Sequence, residues 1–105
     1  MRGDVYETRE DPKAQGHEQR GRRYAVILQS DMLIASTVVA APTSTSARDA
    51  SHRPEIELMG KQTKVLVEQM QVIDPQRRLG RKVGRVNPSE MADIDGAIKF
   101  VLGLF

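Results

Sequence analysis

Residues 24–41 read YAVILQSDMLIASTVVAA, and the two apolar runs inside this stretch decide the fold class. Tyr24 to Leu28 is continuously apolar between polar flanks, and Ser36 to Ala41 is a second run rich in β-branched residues. Runs this short, bounded by turn residues, fit buried strands. Toward the N-terminus, residues 9–22 are polar and charged, punctuated by Pro12, Gly16 and Gly21. A connection of that length inside a compact domain is usually functional or disordered. Before it, Gly3 to Thr8 alternates loosely around Val5 and Tyr6 and reads as a short strand.

Toward the C-terminus, Pro42 to Arg53 predicts a second polar loop holding Thr43, Ser44, Thr45 and Ser46, Ile56 and Leu58 a short alternating strand, and Gly60 to Gln62 a turn. Lys64 to Ile73 reads as one strand, with Glu68 the charged exception on its more apolar side. Val83 and Val86 flank a last strand. Asn87, Pro88 and Glu90 then spell a helix start, with an N-cap, a proline at the first helical position and an acid at N3. Met91, Ile94, Ile98, Val101 and Phe105 recur along one helical stripe that would pack on a sheet. Gly96 within it costs about 1 kcal/mol relative to alanine, which predicts close packing there. The expectation is one mainly β domain over residues 1–105, with about six short strands followed by a helix and folded as a small barrel or strongly bent sheet.

Composition narrows the function. With 105 residues and 39% hydrophobic content, one core is expected; two tyrosines and two phenylalanines supply few base-stacking platforms. The absence of cysteine excludes a disulfide framework, a zinc knuckle and a thiol nucleophile. His17 and His52 are the only imidazoles and lie in separate loops, so no metal and no cofactor is expected. No apolar run approaches a membrane span or a signal h-region, which predicts a cytoplasmic protein without a membrane partner. Sixteen basic residues face fourteen acidic ones, but Arg77, Arg78, Arg81, Lys82 and Arg85 form an acid-free run, and Arg20, Arg22 and Arg23 a second cluster. Such patches suit a polyanion.

In chain order the remaining features are GDVY (3–6), GHEQ (16–19), RRYAVIL (22–28), VVAAPTS (38–44) and VLVEQMQVID (65–74), followed by the closing helix. This series resembles the MazF/PemK/Kid family of toxins from bacterial toxin–antitoxin pairs over nearly the whole chain. It departs at Tyr24, where the family usually has proline, and at Leu66, where some members carry a further active-site arginine. The resemblance implies a CcdB/PemK-like, SH3-related barrel, a homodimer, and metal-independent cleavage of single-stranded RNA at short motifs. It also implies a cognate antitoxin whose acidic, partly disordered tail blocks that activity.

Carried over by position, Arg23 and Thr43 are the catalytic candidates. His17, Glu18, Ser44, Glu68 and Gln69 are possible further catalytic or RNA-binding residues, and Arg22, Arg77, Arg78 and Arg81 are candidate backbone contacts. In the implied reaction the ribose 2′-hydroxyl attacks its own phosphate, so the protein supplies alignment, charge neutralisation and proton transfer. An arginine fork and a threonine hydroxyl suit the first two. Glu68 or His17 is chemically the better proton carrier, since an arginine side chain holds its proton far above neutral pH. Two alternatives stay open on sequence: a non-catalytic poison of a protein target such as DNA gyrase on the same barrel, and an inactive RNA-binding module.

Overall fold

The computed structural model describes residues 1–9 and 23–105. The chain forms β1 (Asp4–Thr8), β2 (Arg23–Ile27), β3 (Val38–Ser44), β4 (Glu55–Leu58) and β5 (Lys61–Val65), then a 3-10 turn at Val67–Gln69 and β6 (Gln71–Ile73). A one-turn helix α1 (Pro75–Arg78), β7 (Leu79–Arg85) and the C-terminal helix α2 (Pro88–Leu102) complete it. The strands order as β4-β5-β3-β2-β1-β7, with β6 pairing β3, and every pairing is antiparallel.

The apolar run at 24–28 is continuous because the sheet buries both faces there. Val26 and Leu28 point into the larger core with Val5, Ala41, Ile56, Val65, Val67 and Ile94, while Ala25 and Ile27 join Val38, Ala40, Ile73 and Leu79 on the other side. The sheet curls into a half-barrel whose open side is covered by α2, which buries Ile94 and Ala97. Asn87 and Glu90 form the expected capping box: the Asn87 side chain accepts from the Glu90 N–H at 2.7 Å, and Glu90 accepts from the Asn87 N–H at 2.9 Å. Gly103, at φ 71°, closes the helix in the left-handed conformation.

Several expected boundaries move. Seven strands form, because Lys64 to Ile73 is two strands separated by the 3-10 turn. Val65, Leu66 and Val67 are all buried, and the chain leaves the strand at Leu66, whose backbone (φ −85°, ψ 75°) opens the 3-10 turn. The hairpin between β4 and β5 turns at Met59 and Gly60, both with positive φ, so Lys61 and Gln62 belong to a strand. β3 extends through Pro42, Thr43 and Ser44, shortening the polar loop, and β7 begins at Leu79. Gly96 does not mark close packing: a Cβ there meets nothing within 4 Å. Phe105, 96% exposed, lies off the packed stripe.

Candidate active site

Arg23 opens β2 opposite Thr8 of β1, and Tyr24 follows it. The adjoining strand β3 brings Pro42, Thr43 and Ser44 alongside, and the chain leaving β5 adds Leu66, Gln69 and Gln71. Together with Ala47, Arg53 and Arg78 these residues line one cleft of about 430 Å³. Three arginines and no acidic residue line it among the described residues.

The Nε of Arg23 is buried and has no hydrogen-bond partner among the described residues. An unmet charged donor is costly. Thr43, only 6% exposed, is held in strand β3, where its hydroxyl donates to the Tyr24 carbonyl at 3.1 Å. The Ser44 hydroxyl oxygen accepts from the N–H groups of Ser46 and Ala47 at 3.2 and 3.0 Å, which fixes the turn leaving the strand. Arg78 is anchored by its Nε, which donates to the Arg9 carbonyl at 2.8 Å; the Arg9 side chain in turn donates to the Gln76 carbonyl.

Not every expected residue reaches this cleft. Glu68 lies outside its lining: Arg53 grips the carboxylate through Nε at 3.1–3.3 Å and Nη2 at 2.9 Å, and His52 stands 3.7 Å away. The bonds from Arg53 hold the Glu68 carboxyl below its ordinary value of 4.5 despite partial burial, which fits a fixed anion better than a proton carrier. Arg77 is exposed outside the cleft, and Arg81 pairs with Glu7 at 3.5 Å. The basic run at 77–85 is acid-free in sequence only, because β1 lies beside β7 and places Asp4 against Lys82 at 3.2 Å and Arg85 at 2.6 Å. His17, Glu18 and Arg22 lie outside the described residues. Arg53 and Gln71 were missed: Arg53 belongs to no local motif, Gln71 lies in the 65–74 block but was not singled out there, and the fold of β4 and β6 against their neighbours brings both to the cleft of Arg23.

A curled antiparallel sheet with a C-terminal helix is the half-barrel of MazF-type proteins. A mycobacterial structure described as an endoribonuclease in complex with its cognate antitoxin superposes at a TM-score of 0.81, covering 100% of this chain and 96% of that one at 22% identity. The Mycobacterium tuberculosis toxin MazF-mt6 gives 0.77, covering 95% and 96% at 18% identity. In sequence, residues 1–102 match the PemK-like, MazF-like toxins of type II toxin–antitoxin systems, and the chain belongs to that family. A candidate toxin of M. tuberculosis is 41% identical over 99% of this chain and 98% of its own length. The endoribonuclease MazF of Staphylococcus epidermidis is 33% identical over 98% and 91%.

Proposed function

We propose that this toxin is an endoribonuclease that cuts single-stranded RNA without a metal ion, with Arg23 and Thr43 at the scissile phosphate. The observation that carries the reading is the cleft itself: an Arg23 donor without a partner among the described residues and the Thr43 hydroxyl in one cleft, whose lining includes two further arginines and no acidic residue among the described residues. The ribose 2′-oxygen attacks the adjacent phosphorus, its proton passes to a base, the P–O5′ bond breaks, and the leaving oxygen takes up a proton. The products are a 2′,3′-cyclic phosphate and a 5′-hydroxyl.

Arg23 neutralises charge growing on the phosphorane oxygens, where a preorganised donor in a partly desolvated site acts most strongly. Thr43 adds a second donor by turning its hydroxyl from the Tyr24 carbonyl to a phosphate oxygen; a charge-assisted bond replaces a neutral one. Glu68, bound by Arg53, leaves His17 as the candidate base, since an imidazole titrates nearest neutrality. Among the described residues no group of three or more His, Cys, Asp or Glu side chains is placed to hold a metal, and the donors in the cleft are cationic, which repels one.

The enzyme acts as a cytoplasmic homodimer, and the acidic tail of a cognate antitoxin inhibits it by occupying this cationic cleft. None of the described helices is long and apolar enough to cross a membrane. The gyrase-poison alternative is not favoured, because the matched family and the Staphylococcus relative point to ribonuclease toxins. Incubating the purified protein and its Arg23→Ala variant with mixed RNA tests the reading. Cleavage by the wild type and its loss in the folded variant are expected; an inert wild type, or a variant that cuts at the wild-type rate, refutes it.

A further inference from the structure

Arg53 does not enter the mechanism above, yet it is among the most fully positioned side chains of the cleft wall. Its backbone N–H donates to the Ala50 carbonyl at 3.0 Å, and the next residue, Pro54, accepts from the Val65 N–H at 2.9 Å, which pins this corner to the edge of β5. Its guanidinium is fixed on two sides. Nε and Nη2 grip the Glu68 carboxylate, and Nη1 donates to the Arg48 carbonyl at 3.2 Å. A guanidinium carries five N–H groups, so one N–H on Nη1 and one on Nη2 have no partner among the described residues. These spare N–H groups, one on each terminal nitrogen, are available to phosphate oxygens.

We propose that Arg53 is a second RNA-phosphate clamp, with Glu68 as its positioning residue, and that it sets the register of the RNA across the cleft by holding a phosphate other than the one at Arg23. The inference rests on the ribonuclease reading and adds a subsite to it. Register separates the two arginines: β2, β3, β5 and β4 lie side by side, and Arg53 immediately precedes the segment that enters β4. Strands β3 and β5 stand between the two backbones, so the two side chains enter the cleft from different elements, which suits successive phosphates of one strand. Buried Leu66 lies on the cleft wall with Arg53, and an apolar neighbour strengthens a charged contact. Because Glu68 occupies the side edge of the guanidinium, the fork cannot swing away. A lysine at 53 would keep the charge and lose both the carboxylate grip and the bidentate contact.

The test first maps the motif cut by the wild type, then measures binding of a 2′-O-methyl RNA of that motif over a range of salt concentrations. Each phosphate contact to a single strand contributes about 0.7 to the slope of log K against log salt. Arg53→Gln should lower the slope by about 0.7 and weaken binding roughly tenfold or more. Arg53→Lys should retain the slope while weakening binding. A merely structural role would leave the slope of a folded variant unchanged. Should the glutamine variant not fold, the side-chain N–H resonances of Arg53 in the wild type, followed by NMR as the same RNA is added, must move. An unchanged slope and affinity in Arg53→Gln, or unmoved Arg53 resonances at saturating RNA, overturns the proposal while leaving the ribonuclease reading standing. A wild type that neither cuts nor binds RNA removes the reading itself.

Discussion

Replacing Thr43 by valine and, separately, by serine distinguishes catalysis from architecture at the residue where the two are most entangled. Thr43 is 6% exposed and its hydroxyl donates to the Tyr24 carbonyl at 3.1 Å. Valine keeps the shape and deletes that bond, costing about 1 kcal/mol for the bond itself and up to about 1 kcal/mol more for a carbonyl left unmet. Serine keeps the hydroxyl and deletes a buried methyl, costing about 0.8–1.5 kcal/mol. Both variants should therefore melt lower, by roughly 4–8 °C per kcal/mol in a domain of this size, and to similar extents. Their activities should diverge. If the hydroxyl turns to the phosphate in the transition state, Thr43→Val loses about 10²–10³ in rate, the cost of one donor at a centre of developing charge, while Thr43→Ser stays close to wild type. Cleavage of a fluorogenic RNA well below either melting transition, read beside circular-dichroism melts, decides the matter. Valine cutting at the wild-type rate, or serine and valine losing activity equally, refutes the catalytic role.

Gly96 lies inside α2 with open space around it, so Gly96→Ala should raise stability by about 1 kcal/mol in denaturant titration; a destabilised variant would show a packing constraint there. Asp4 is 5% exposed; burial alone would raise its carboxyl, but Arg85 and Lys82 together hold it below its ordinary value of 3.8. Its stabilising contribution is thus complete above that value and lost as pH falls through the lowered folded value. Asp4→Asn should cost about 1–2 kcal/mol, since both cations are more than half exposed and regain water. The wild-type and variant unfolding free energies should converge in acid, and parallel pH profiles would contradict this linkage. An acidic antitoxin tail should compete with non-cleavable RNA, and salt should weaken RNA binding more than tail binding; a ternary complex with both affinities unchanged would place inhibition at a distant surface.

What could be read from sequence was local chemistry. Asn87, Pro88 and Glu90 announce α2 because cap, proline and acid act within one turn, and residues 24–28 announce a buried strand because two-sided burial removes alternation. The break at Leu66–Met70 was not readable as a break, because buried neighbours at 65, 66 and 67 imitate a strand interior. Glu68 was its one visible symptom, and its explanation lies fifteen residues earlier at Arg53. The same distance hides Arg53 from any motif, since its place in the cleft depends on β4 pairing with β5 and on Pro54 receiving the Val65 N–H. Thr43 was found as a candidate but placed in a loop, because Pro42 looks like a strand end; here the proline pairs with Ala25 within β3. The basic run at 77–85 misled for the opposite reason: its counter-charges, Asp4 and Glu7, come from the other end of the chain.

The central claim, RNA cleavage by a cationic cleft through attack of the 2′-hydroxyl, is tested most directly by the chemistry of the ends produced in excess EDTA. The purified protein is incubated with mixed RNA and chelator, and each new terminus is identified by enzymatic end-labelling and mass spectrometry. The account predicts undiminished cutting, a 2′,3′-cyclic phosphate on one fragment and a 5′-hydroxyl on the other. Loss of cutting on chelation with recovery in magnesium, or fragments bearing a 5′-phosphate, would contradict it.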